Sequence, residues 1–218
     1  ERTLKWILLC LVCFLPIAMY IHLVSGQIEV SFTTFYRAIV QYDSNDTIQV
    51  LVREFRIPRL FMALIAGAGL SLSGMLMQTL FKNPLAGPYV LGINAGASLL
   101  IAISLMTGIQ FFKSNFGLIG TAFIGAFGAG LLMMSVAQRL RSQISLLLVG
   151  LMFGSFTAAF VSIIESFAGA ESLKSFSMWS MGSLQQVEFS QLGPIIMVFS
   201  IGLFISFLLV KPLNLLVI

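Results

Sequence analysis

Charge is what this sequence has least of. Only 9% of its 218 residues are Asp, Glu, Lys or Arg, where a soluble domain carries roughly 25%. His22 is the one histidine, and Cys10 and Cys13 are the two cysteines. That poverty excludes most chemistry. With no H-E-x-x-H, no G-x-S-x-G and no aspartate pair inside an apolar run, the nucleophile, base or metal set of an enzyme cannot be assembled. Cys10 and Cys13 have C-x-x-C spacing, but further Cys ligands are missing and both fall inside an apolar run, so they are expected to be packing residues. The interiors of the apolar runs hold no ionisable residue, which leaves a proton- or sodium-coupled carrier without the site it usually buries.

What the chain has in excess is apolar length. Hydrophobic residues make up 58% and the mean hydropathy is +1.01. A bilayer core takes about 20 apolar residues per helix, and six runs qualify, at 4–24, 60–80, 90–107, 117–137, 146–166 and 192–210. They are continuous and rich in Gly, Ala and Leu, which excludes a spanning barrel of alternating strands. The predicted fold is all-α, a polytopic helical membrane protein with six transmembrane helices and no soluble domain. The first run follows Arg2 and Lys5 but lacks the usual small-residue cleavage site, so it reads as a retained span and not a signal peptide. The chain opens on Glu1 and stops at Ile218 directly after a span, and it is expected to be a fragment.

Six crossings place both ends on one side with Arg2, Lys5, Lys82, Arg139, Arg141 and Lys211; Arg37, Arg53, Arg56, Arg59, Lys113 and Lys174 fall on the other. With the cations evenly divided, the positive-inside rule gives no orientation. The acidic residues other than Glu1 gather on or near the second side, and the ends are placed in the cytoplasm. Arg53, Arg56 and Arg59 then face outward at the mouth of a span. Either they snorkel to lipid phosphates or they serve a contact outside the bilayer. Pro58 is expected in the first turn of that span, where no backbone donor is needed.

Small residues recur every four positions at Ala63, Gly67 and Ser71, at Gly117, Thr121, Gly125 and Ala129, and at Gly150, Gly154, Ala158 and Ser162. Such faces let helix backbones approach closely in lipid. Phe32, Phe35, Tyr36 and Ile39 mark one face of a helix lying along the outer surface. The following 43–47 segment supplies turn formers, and its Asn45-Asp46-Thr47 acceptor pattern is assigned no role. Pro84, Gly87, Pro88 and Gly92 require a helix break near Asn83, and irregular backbone at a membrane face lines a cavity. After the fifth run there is room for a short outer helix and a turn, with Trp179 as an interfacial anchor and Trp6 anchoring the opposite face. Ser71 to Gly74 faintly resembles the serine motif of an intramembrane protease, for which His22 would be the one histidine partner.

The stretch RIPRLFMALIAGAGLSLSGMLMQTLFKNPLAGPYVLGINAGAS, from Arg56 to Ser98, resembles the hallmark region of the bacterial ABC importer permeases for iron-siderophores, heme and cobalamin. LLLVGLMFGSF, MWSMGSL and LNLL follow in that family's order and spacing. The resemblance covers nearly the whole chain, and the combination of R-x-P-R with N-P-L-A-x-P is specific. It implies a type II ABC importer permease of about ten helices, of which residues 1–218 form the N-terminal part of one transmembrane domain, with the C-terminal helices and coupling helices missing.

What the resemblance implies for function is an ATP-driven importer in the bacterial cytoplasmic membrane that moves an iron chelate, with heme and cobalamin as sister cargoes. The implied partners are a second permease subunit, homodimeric or paralogous, two ATPase subunits carrying ATP and Mg, and an extracytoplasmic substrate-binding protein. Membrane lipid surrounds the chain and nucleic acid plays no part. Arg56 and Arg59 match the arginines that pair with carboxylates on the binding protein. Asn83 and Leu85 match the cytoplasmic gate in N-P-L-A, and Gln143 and Ile144 match the gate position at the start of the fifth helix, where small hydroxyl residues are the family's habit. Gly87 stands where an acidic residue is usual. Ser155, Thr157, Ser162 and Glu165 are candidates for the path. The resemblance implies no catalytic residue, metal ligand or cofactor on this chain. The competing reading is a secondary carrier or a membrane scaffold.

Overall fold

The computed structural model describes residues 2–26, 28–106, 115–140, 142–184 and 187–217; Glu1, Lys113, Arg141, Ile218 and the end of the 90–107 run lie outside them. Among the described residues all regular structure is helical. In chain order come α1 (Arg2–Val24), α2 (Phe32–Val40), α3 (Thr47–Val50), a π-helical turn (Leu51–Arg56), α4 (Ile57–Leu80), α5 (Ile93–Met106) and α6 (Asn115–Ala137). They are followed by α7 (Gln143–Ser166), α8 (Ala170–Met181), α9 (Phe189–Leu208) and α10 (Val210–Val217).

Among the described residues five helical runs are long and apolar enough to cross a bilayer: Lys5–Val24, Thr47–Leu80, Phe116–Ala137, Ile144–Ser166 and Phe189–Leu208. Among the described residues the sixth expected run forms a helix of 14 residues, Ile93–Met106, which covers about 21 Å at 1.5 Å per residue of a hydrocarbon core about 30 Å thick. Its start is delayed because residues 81–92 are spent on turns. Lys82 takes a left-handed φ of 44° and the Asn83 N–H donates to Gln78 O at 3.2 Å, a Schellman-type close to α4. Gly92 then turns the chain into α5 with φ 72°. A Cβ there would stand 2.7 Å from Phe153 Cδ1, so both conformation and space demand glycine.

The chain divides into two compact units, Glu1–Gly67 with Leu184–Ser200 and Ala68–Ser183 with Ile201–Ile218. In the first, the C-terminal end of α1, α2, α3 and the π turn form a corner around buried Val30, Ala38 and Val52, with Phe35 and Ile57 packed against them. The surface helix predicted from Phe32, Phe35, Tyr36 and Ile39 is present, but Phe35 with Ala38 faces the corner while Phe32, Tyr36 and Ile39 stay exposed. Asp46 caps α3 by accepting from the Ile48 and Gln49 N–H groups, a role the sequence reading did not assign to the 43–47 segment. Pro58 does not open its span. It lies inside the continuous Thr47–Leu80 run, directly after the π turn, where Ile57 N–H donates to Val52 O. The wider turn relieves the clash between a helical proline ring and the carbonyl four residues back.

In the second unit α5 is the hub, packed against α6, α7 and α8. The predicted stripe Gly117, Thr121, Gly125 and Ala129 is buried along α6, and a Cβ on Gly96 would meet Ala129 Cβ and Gly125 O at 2.5 Å. Backbone contact of that kind replaces the hydrophobic drive that lipid removes. Ile101, Ala102, Leu105, Val161 and Phe176 form the core, and Ser172 Oγ donates to Leu105 O at 3.2 Å, fastening α8 to the end of α5.

Three expectations change here. Trp179 stacks on Phe176 with centroids 6.2 Å apart and packs against the core, so it is a packing residue as well as an aromatic near a helix end. Cys10 and Cys13 are exposed on α1 and not packed, because nearly all of α1 presents its apolar side chains outward. On α4 the Ala63, Gly67 and Ser71 face is also exposed, with open space around Gly67.

Candidate functional site

Two places concentrate polar chemistry. The first is the corner. Arg56, at the end of the π turn, is buried, and its guanidinium turns inward. Nη1 donates to Leu23 O at 2.5 Å and Val24 O at 3.1 Å, and Nη2 donates to Ile28 O. Arg59, one turn further along, is half-buried. Arg53 is exposed and lies over the Tyr42 ring, 4.2 Å from its centroid, a geometry that attracts a cation to the ring face. At the rim, the Asp46 carboxyl is held below its ordinary value of 3.8, first by the Ile48 N–H, then by the Gln49 side chain and N–H and by the Arg37 charge, while partial desolvation works the other way.

The second place, within the second unit, is a groove of about 640 Å³ between the 89–98 segment and α7. That size falls inside the roughly 300–1,000 Å³ usual for small-molecule sites. Three of the four path candidates line it, Ser155, Thr157 and Ser162, together with Gly154 and Ala158. Glu165 is not among the lining residues; it sits half-buried in the last turn of α7. All four members of the third small-residue stripe line this groove: Gly150 also meets the Val90–Leu91 backbone, while a Cβ on Gly154 would touch nothing within 4 Å. Thr157 is buried, and Ser155 Oγ donates to Leu151 O at 3.1 Å. A hydroxyl bonded to its own helix costs little to place in a dry environment.

Sequence reasoning missed the opposite wall, where Tyr89, Asn94 and Ser98 line the same groove. The available signal was the pair of neutral polar residues four apart, Asn94 and Ser98, on one face of a helix otherwise built from apolar and small residues. No carboxylate, amine or imidazole belongs to the described lining.

The residues expected at the gate lie at two helix boundaries. Asn83 Oδ1 accepts from the Leu85 N–H at 2.9 Å, shaping the turn after α4, and Leu85 itself is exposed. Gln143 begins α7, and Ile144 beside it is exposed.

The family model of the FecCD transport family matches residues 13–218. This chain belongs to the FecCD transport family. An iron chelatin transport system permease protein of Helicobacter pylori is 34% identical over 171 residues, 78% of this chain and 51% of that protein. A hemin transport system permease protein of Yersinia pestis is 31% identical over 174 residues, 77% of this chain and 50% of the relative. A metal-chelate type ABC transporter solved in an inward-facing conformation aligns with a TM-score of 0.79 at 27% identity, covering 97% of this chain and 64% of that one. This FecCD chain spans about half the length of the curated relatives it matches. Membership places it among multi-pass proteins of the bacterial inner membrane, and its relatives are transport permease subunits.

Proposed function

We propose that this chain supplies the membrane path of an ATP-driven importer that takes an iron chelate from a binding protein and passes it to the cytoplasm. The observation that carries the reading is the groove lined by Asn94, Ser98, Ser155, Thr157 and Ser162, polar yet, among the described residues, without a carboxylate, amine or imidazole of the kind a coupling ion would need. Hydroxyl and amide groups suit a chelate whose metal is already enclosed, because they offer weak, replaceable hydrogen bonds in place of a fixed charge that would trap it. Energy then has to arrive from partner ATPases holding ATP and Mg. A second permease subunit completes the path, Leu85 and Ile144 close its cytoplasmic end, and the binding protein docks at the corner carrying Arg56 and Arg59.

The test is uptake into proteoliposomes holding the full-length permease and its ATPase, with the binding protein outside. The expected result is ferric-siderophore uptake that requires ATP and ignores a protonophore. Uptake without ATP that collapses with the protonophore would make the protein a secondary carrier. Uptake of heme or cobalamin in preference to the ferric chelate would reassign the cargo to a sister of the proposed one.

A further inference from the structure

We infer that Arg56 is a positioning residue, a clamp that ties the end of α1 and the following loop to the π turn. The C-terminal carbonyls of a helix have no partner within it, and in lipid an unsatisfied carbonyl is expensive. Among the described residues, Arg56 supplies donors to carbonyls at and just beyond the end of α1. Ile21 O accepts from Ser25 N–H, Val24 O accepts from Val30 N–H, and Leu23 O, Val24 O and Ile28 O accept from the guanidinium. A cation at a helix C-terminus is also favoured by the helix dipole.

Two further observations fit a built seat. Arg56 is 7% exposed, and Gly26 lies flat against it: a Cβ on Gly26 would stand 2.9 Å from Nη2 and 3.4 Å from Cζ. The planar fork suits this work, since a lysine ammonium presents no fixed geometry to three carbonyls. The clamp holds the loop that delivers Val30 to Ala38 and Val52, and so it sets the rim on which exposed Arg37 and Arg53 stand.

The test is amide exchange of the full-length permease in nanodiscs, read on peptides covering Leu23 to Ser31. Arg56→Gln is expected to speed exchange there by about tenfold or more, with α5 to α7 unchanged. Arg56→Lys is expected to restore part of the protection. Arg53→Gln, which lacks these contacts, leaves it as in the wild type. If Arg56→Gln does not fold, Gly26→Ala decides, since it displaces the guanidinium without removing the charge and is expected to loosen the same peptides. Unchanged exchange in Arg56→Gln, or in Gly26→Ala where that variant decides, overturns the clamp. A second readout rests on the importer reading: the salt dependence of binding-protein association should keep its slope in Arg56→Gln, with weaker binding. A slope flattened as in Arg59→Gln would make Arg56 a docking charge and overturn the assignment. If no association is seen even with wild-type protein, the importer reading fails and the exchange result still decides the clamp.

Discussion

At the corner, three arginines fall within residues 53–59; Arg56 is held on backbone carbonyls and Arg53 lies over an aromatic ring. Along the groove, polar residues are just as frequent but neutral, and Ser155 bonds to its own helix. The difference follows from what each place must tolerate. A charge near the bilayer is stable when its donors are consumed, and a guanidinium can consume many carbonyls at once. A surface over which cargo slides cannot hold a charge without binding something too firmly. Charge therefore organises the architecture at the corner, and on the proposed importer reading its absence from the groove is what lets cargo pass.

That contrast breaks most severely where the groove loses its support. Gly96→Leu would drive a side chain into Ala129 and Gly125, and overpacking of this kind costs about 1–3 kcal/mol or more. The expected outcome is a large fall in Tm in detergent. Gly128→Leu on α6, where a Cβ meets nothing within 4 Å, should leave Tm near the wild-type value.

A sharper cut separates passage from folding. Gly154→Leu projects into open groove, so stability should stay within about 0.5 kcal/mol. Uptake should fall by roughly tenfold or more as the groove loses volume. Equal losses of stability and uptake would mean that Gly154 is a packing residue and not part of a path.

The smallest effect belongs to the rim of the corner. The Asp46 carboxyl titrates below 3.8 in the folded protein, so its contribution is fully present above that pH and is lost as pH falls through the lower folded value. Asp46→Asn should be slightly less stable than wild type at neutral pH and indistinguishable from it once pH drops well below 3.8. Thermal scans of the two proteins across that window give the answer.

Much of this architecture was legible in composition and period. The runs at 4–24, 117–137, 146–166 and 192–210 correspond to α1, α6, α7 and α9 within a few residues, because lipid leaves the backbone little choice but helix. The Gly117 to Ala129 stripe was legible for a related reason, since small residues at helical spacing have few uses except close approach. Other features depend on residues distant in sequence. Arg56 meets carbonyls 28 to 33 positions earlier, and no local pattern says which way a guanidinium turns. The π turn follows from Pro58 within a longer helix, which cannot be seen until that helix is known to start at Thr47. The wall formed by Asn94 and Ser98 likewise appears only when the short α5 is laid beside α7.

The central claim is that the neutral groove is the cargo's path, and labelling at Ser155 tests it most directly. In full-length protein carrying Cys10→Ser and Cys13→Ser, to remove the exposed native thiols, Ser155→Cys is treated with a small water-soluble thiol reagent and uptake is then measured. The account predicts rapid labelling, protection by cargo during ATP turnover, and loss of uptake once labelled. A thiol at this position that stays unreactive, or that is fully labelled while uptake continues at the wild-type rate, would contradict it.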